Sequence, residues 1–180
     1  MGEAVTTQRV DDSATKQEGF SSTDFRSALG VFATGVTVIT SRGEEHAYGM
    51  TANAFSSLSL DPPLVLVCVI SGTTGAETIE NNRSFAVNIL AADQEQISRY
   101  FSWKDRPRGA EAFDEIPHGV SATGCPIIGG AAGYLDCRLS AAHEAGDHVI
   151  FIGEVLALGY DSDVEPLVFH GGSYCKVARS

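Results

Sequence analysis

Long apolar runs are missing from this 180-residue chain: no stretch approaches the roughly 20 residues that a membrane helix needs, and no secretory-signal pattern opens it. Positive charge is scarce as well. Twelve Lys and Arg face 23 Asp and Glu, a formal net charge of −11. That balance argues against nucleic acid or an anionic membrane as the main partner, since both reward a basic surface. A small anionic ligand stays open, because backbone N–H groups and a few hydroxyls can hold one locally. The four cysteines, Cys68, Cys125, Cys137 and Cys175, contain no Cys-x-x-Cys pair. Zinc is therefore disfavoured, no metal site is expected, and reduced thiols in a cytoplasmic protein are the simplest reading. There is no G-x-G-x-x-G, no P-loop and no G-x-S-x-G elbow, so a dinucleotide would have to bind without a Rossmann fingerprint.

What is present is an ordinary globular composition, 43% hydrophobic and 19% charged, in a length that suits one domain. Residues 1–19 are polar and non-periodic and are expected to form a disordered leader, leaving 20–180 as the domain. "SSTDFRSALGVFATG" places Phe25, Ala28, Leu29, Phe32 and Ala33 at helical spacing, with Ser22 or Thr23 as N-cap and Gly35 closing the end. "VTVITS" and "HAYGMTANAF" read as a hairpin turning at residues 42–45. "LVLVCVI" (64–70) reads as a central buried strand. A short helix in "TGAETIENN", a strand in "SFAVNIL" and a helix presenting Ile97, Tyr100 and Phe101 follow. The Gly- and Pro-broken stretch from Trp103 to Gly130 is expected to be a functional loop or lid. Two long strands then meet at a turn near Ala145-Gly146-Asp147, and two short ones flank His170-Gly171-Gly172. Six to eight strands that do not alternate regularly with helices predict a mainly β fold, an antiparallel, Greek-key-like barrel with a few appended helices.

Two hydroxyl-rich clusters bracket the apolar strand 64–70. In "GMTANAFSSLSL", strand alternation would put Thr51, Asn53 and Phe55 on one side and Met50, Ala52 and Ala54 on the other, with Ser56 and Ser57 beyond. In "ISGTTGAET", Ser71, Thr73 and Thr74 lead into a helix N-terminus, where anions are favoured. Each cluster alone is better explained by satisfied strand or capping hydrogen bonds; the two together favour a phosphate-bearing ligand more than either does alone. His148 at a turn edge reads as solvated by default. His143-Glu144 with Asp147-His148 imitates a metal set but reads as solvated turn residues.

In order along the chain, "ATGVTVIT", "GMTANAFSSLSLDPPLVLVCV", "FAVNIL", "GDHVIFIGEV" and "PLVFHGGSY" closely resemble the flavin reductase-like domain family, the small reductase components of two-component flavin-dependent monooxygenases, over about residues 22–178. The resemblance implies an FMN-binding split β-barrel, usually a homodimer, that reduces FMN or FAD with NADH or NADPH and passes reduced flavin to a separate monooxygenase. It implies that Thr34, Gly35 and Val36 lie by the flavin ring, and Thr51, Ala52 and Asn53 along the ring and ribityl chain. Ser56, Ser57, Ser71 and Thr74 would then lie towards the phosphate. His148 would sit where the nicotinamide approaches, with His170 and Tyr174 close to the same pocket. Hydride would pass from nicotinamide to flavin, and positioning rather than an acid or nucleophile would be the protein's main task. The family usually has Ser after the Asn; Ala54 stands there, so one hydroxyl contact is missing. The alternatives are a split-barrel oxidase that retains FMN and a non-enzymatic flavin carrier.

Overall fold

The computed structural model describes residues 19–42, 47–107 and 109–177. The expected leader falls outside them except for Gly19, and so does most of the 42–45 turn. The first helix, α1 (Ser22–Gly30), starts one residue earlier than expected. Ser21 is its N-cap in a reciprocal capping box with Asp24, and this lowers the Asp24 carboxyl below the usual range. It also ends earlier than expected, with Val31 as C-cap, because Thr34–Gly35 is drawn into a short strand, β1. The hairpin pair β2 (Thr37–Arg42) and β3 (Ala47–Ala52) forms as expected. After it come β4 (Phe55–Leu60), β5 (Pro63–Ile70), α2 (Thr74–Asn82), β6 (Ser84–Ile89) and α3 (Glu95–Ser102).

The stretch expected to be a lid is instead built into the body. It carries a 3-10 turn (Gly109–Phe113) and a small ladder of β7 (His118–Val120) with β8 (Pro126–Ile128), and buries Ala112, Phe113, Cys125 and Ile128. Two long strands, β9 (Gly133–Ala145) and β10 (His148–Tyr160), turn at Gly146-Asp147, where Gly146 takes φ +63°. The chain closes with β11 (Val168–His170) and β12 (Ser173–Cys175). Gly171 and Gly172 between them both have positive φ, as a two-residue type I′ hairpin requires.

Among the described residues the fold is mainly β, with more and shorter strands than the sequence pattern announces. Seven antiparallel strands run in the order β3-β2-β6-β9-β10-β5-β4, and a separate sheet runs β1-β11-β12. No ladder joins β3 to β4, so the barrel is not closed by hydrogen bonds. Yet these two edge strands are consecutive in the chain, separated only by Asn53 and Ala54. Six strand spacings in a flat sheet would part the edges by about 29 Å, whereas two linking residues span at most about 11 Å. The sheet must therefore curl until its edges meet at Asn53–Ala54, leaving a seam.

The curled sheet buries two clusters. Ile39, Val65, Val67, Val69, Phe85, Val87, Leu139 and Phe151 fill the inside, plugged by Ala76 and Ile79 of α2. On the other face of β2 and β6, Val36, Val38 and Leu90 pack with Phe101 of α3 and Phe113 and Ile128 of the following segment. Buried Asn88 fastens that segment: its amide donates to Val38 O and Thr40 Oγ1, and its Oδ1 accepts from Ile128 N at 2.8 Å. β5 is not the central strand expected. It lies next to the edge, and only alternate residues, Val65, Val67 and Val69, reach the core.

Candidate functional site

Among the described residues, three adjoining cavities follow the seam, of about 600, 400 and 320 Å³, and Asn53 borders all three. The half-buried Leu66 and Cys68, which alternate with the core valines of β5, face this groove instead of the core. The expected face assignment around Asn53 therefore fails for a local reason. Pairing stops at Ala52, strand alternation lapses over Asn53–Ala54, and residues of both parities border the groove.

The first cavity lies between α1 and β5, with Leu29, Phe32, Leu66 and Phe169 as apolar walls. Its polar members include Thr34, Asn53 and Ser56. The Thr34 hydroxyl oxygen is buried and has no hydrogen-bond partner. Leaving a buried polar atom unpaired costs about 1–3 kcal/mol, so a hydroxyl in this state at a cavity wall fits a ligand atom that completes it.

The second cavity is more polar. Tyr48, Met50 and Thr51 of β3, Thr73, Ser102 and Arg106 border it, and His148 closes one end. His148 is the first residue of β10, paired with Ile70, so the tight turn lifts it directly beside the end of β5. Its Nδ1 lies 2.7 Å from Asp147 Oδ1, and that hydrogen bond holds the Asp147 carboxyl below its usual range. With Nδ1 engaged, Nε2 is the ring atom left for a ligand. Thr51 spends its hydroxyl on Ser98 O at 2.6 Å, tying β3 to α3. The third cavity lies between β3, α3 and the C-terminal hairpin. Val36, Ala52, Phe169 and Tyr174 line it, and Tyr174 is held by Ser98 Oγ at 2.8 Å and by the Arg99 guanidinium 4.9 Å from its ring centre.

Of the residues expected at a site, the fold brings Thr34, Val36, Thr51, Ala52, Asn53, Ser56, His148 and Tyr174 to this groove, with Gly35 between two of them on β1. Ser57, Ser71, Thr74 and His170 do not line these cavities. Ser57 is exposed on the strand position next to Ser56, where alternation turns it away. At the start of α2 it is Thr73 that borders the second cavity, while its hydroxyl bonds Ile70 O and caps Ala76 N. Ser71 contributes through its backbone, donating to Asp147 O at 3.0 Å and so bracing the turn that carries His148. His170 stands exposed at the hairpin tip. Tyr48, Met50, Ser102, Phe169 and Arg106 were not legible as site residues. The imitation metal set does not converge: among the described residues no three His, Cys, Asp or Glu side chains are grouped to hold an ion.

A family model described as "Flavin reductase like domain" matches residues 29–178. The chain is 41% identical over 161 residues to the FMN reductase (NADH) SmoA of Agrobacterium fabrum, covering 89% of each. It is 35% identical over 163 residues to the reductase subunit HsaB of a flavin-dependent monooxygenase from Rhodococcus jostii, covering 91% of this chain and 82% of that one. Its structure superposes on that of the NADH:FAD oxidoreductase SgcE6 of Streptomyces globisporus with a TM-score of 0.83 at 36% identity, covering 97% of this chain and all of that one.

Proposed function

We propose that this chain, a member of the flavin reductase-like domain family and a nicotinamide-dependent flavin reductase, brings flavin and nicotinamide together in the groove along the Asn53–Ala54 seam. The observation that carries the site assignment is the convergence of three cavities on Asn53 beside a buried, unpaired Thr34 hydroxyl. FMN or FAD supplies the redox chemistry when bound, accepting a hydride from the nicotinamide. The chain's own residues bind and orient. Thr34 offers its unused hydroxyl, Asn53 its exposed amide, and Leu66, Phe169 and Val36 give apolar walls for a planar ring. His148, its Nδ1 occupied by Asp147, orients the nicotinamide half through Nε2. No residue of the groove is required as nucleophile; holding two rings in contact removes much of the entropic barrier.

The relatives include the reductase subunit of a flavin-dependent monooxygenase, and reduced flavin made here would serve a separate oxygenase. Two finer points belong to the proposal. The first is a homodimer. None of the residues of α1 is buried; Phe25, Leu29 and Phe32 are exposed, and the last two border the first cavity. A nine-residue helix is marginal without a packed face, and a second copy lying on α1 would supply one. The second is a cytoplasmic location, which fits four free cysteines and a reaction drawing on the intracellular nicotinamide pool.

The test is aerobic loss of nicotinamide absorbance with NADH or NADPH, with and without added FMN or FAD. Turnover that depends on added flavin is expected. Flavin binding without turnover in any pairing would overturn the reductase reading in favour of an FMN-retaining oxidase or a carrier. A His148→Ala variant is expected to raise the KM for the nicotinamide; an unchanged catalytic efficiency removes His148 from the site.

A further inference from the structure

The wall of the second cavity carries a cation that the reading above leaves unused. Arg106 follows α3 in the segment that the sequence pattern presents as a functional loop or lid. Its Nη1 donates to Trp103 O at 2.8 Å and its Nη2 to Gly49 O. The guanidinium carbon lies 5.5 Å from the Tyr48 ring centre and 5.8 Å from that of Phe101. The residue is half-buried, and it forms no salt bridge with a described residue, in a chain with 23 acidic side chains against 12 basic ones.

These facts are not those of a simple structural arginine. Carbonyl oxygens and ring faces hold the guanidinium in one orientation but carry only partial charge, so they leave its full positive charge uncompensated. Two of its donor nitrogens serve the backbone, and the five-hydrogen fork has capacity left. It borders the same 400 Å³ cavity as Thr51, Thr73, Ser102 and His148. The Thr51, Thr73 and Ser102 hydroxyls already donate to the carbonyls of Ser98, Ile70 and Arg99, so the planar, preoriented, unneutralised fork of Arg106 is the group on this wall that matches a phosphate or pyrophosphate.

We propose that Arg106 anchors the phosphate-bearing end of the ligand in the second cavity, and so decides how strongly the protein prefers phosphorylated over unphosphorylated ligands. The inference rests on the groove being the flavin and nicotinamide site. The shared chemistry, a phosphate ester or pyrophosphate, is present both in FMN and in NADH, and binding measurements separate the two.

The experiment is a set of fluorescence titrations of the full chain with FMN, riboflavin and NADH, comparing wild type, R106Q and R106K. Losing a charge-assisted phosphate contact is expected to weaken the affected ligand about tenfold or more. If the flavin phosphate is held, R106Q weakens FMN but not riboflavin. If the dinucleotide is held, R106Q weakens NADH and leaves both flavins unchanged. R106K, which keeps the charge, recovers part of the loss in either case. Equal weakening of FMN and riboflavin with NADH unchanged, or no change at all, overturns the proposal and leaves Arg106 as a tether of its loop. Should R106Q fail to fold, inorganic pyrophosphate is titrated against wild type. It is expected to displace FMN or NADH but not riboflavin, and failure to displace either is equally fatal. Wild-type turnover is measured alongside: its absence with phosphate discrimination intact removes the reductase reading but not the role of Arg106.

Discussion

The hydroxyls of Tyr174 and Ser98 lie 2.8 Å apart, joining the C-terminal hairpin to α3 across the third cavity. Tyr174 also packs edge-on against Phe169, with ring centres 5.3 Å apart and planes at 70°. Tyr174→Phe removes only the hydrogen bond and is expected to lower stability by about 1 kcal/mol, or about 2–4 °C in Tm. Tyr174→Ala also removes the ring pair and is expected to loosen β11–β12 visibly in hydrogen exchange. Equal effects of the two substitutions would show that the ring contributes nothing.

Thr34 supports the opposite kind of test. Its hydroxyl has no partner in the protein, so the near-isosteric Thr34→Val is expected to leave Tm unchanged or slightly raised. Flavin affinity measured by fluorescence quenching is expected to fall by about 3- to 10-fold, the worth of one ordinary hydrogen bond. A clear drop in Tm would mean that the hydroxyl serves the fold rather than a ligand.

Gly153, on β10 beside a register shift against β9, is where the sheet meets the inner core most closely. A Cβ there would lie 2.5 Å from the Phe85 ring and 2.8 Å from Cys137 Cβ. Gly153→Ala is expected to cost about 1–3 kcal/mol through overpacking, read as a lower denaturation midpoint at unchanged slope.

The cysteines divide by environment. Burial pushes the Cys137 thiol up to about 12 and raises that of Cys125, while Cys68 and Cys175 are half-buried. At pH 8 an alkylating reagent is expected to label Cys68 and Cys175 and to spare the other two, and FMN is expected to slow labelling of Cys68, which borders the groove. Above an ordinary thiol pKa near 9 the unfolded chain loses the Cys137 proton while the folded chain keeps it. Stability is therefore expected to decline between pH 9 and 12, and a Cys137→Ala variant to show a shallower decline in urea titrations across that range.

The uncovered face of α1 makes an assembly prediction. Glutamate at Phe25 and Leu29, both more than half exposed, is expected to convert a dimer to monomer in sedimentation velocity and to reduce flavin affinity, since Leu29 lines the first cavity. A wild-type monomer would remove the homodimer reading.

Local patterns in the sequence carried much of the architecture. Short strand-like runs marked β2, β3, β6 and β9, the Gly-Asp and Gly-Gly pairs marked the two hairpin turns, and Thr73 before α2 stood as its cap, whereas Ser21, ahead of the expected Ser22 or Thr23, caps α1. These are short-range effects, decided by neighbours within a few residues. The resemblance over five ordered segments supplied the chemistry and eight residues that the fold does bring to the groove. Only the tertiary structure decided the rest. Curling brings β3 and β4 together and makes a two-residue link the centre of the site, a consequence of seven-strand pairing that no local window contains. It also turned the stretch after Trp103 from an apparent lid into a cover for β2 and β6, through Asn88, Phe113 and Ile128. The same packing set Arg106 over Tyr48 and Phe101, residues far from it in sequence or turned toward it only by folding. A cation's partners are chosen by distance in space, and the linear order of residues is silent about that until the chain has closed on itself.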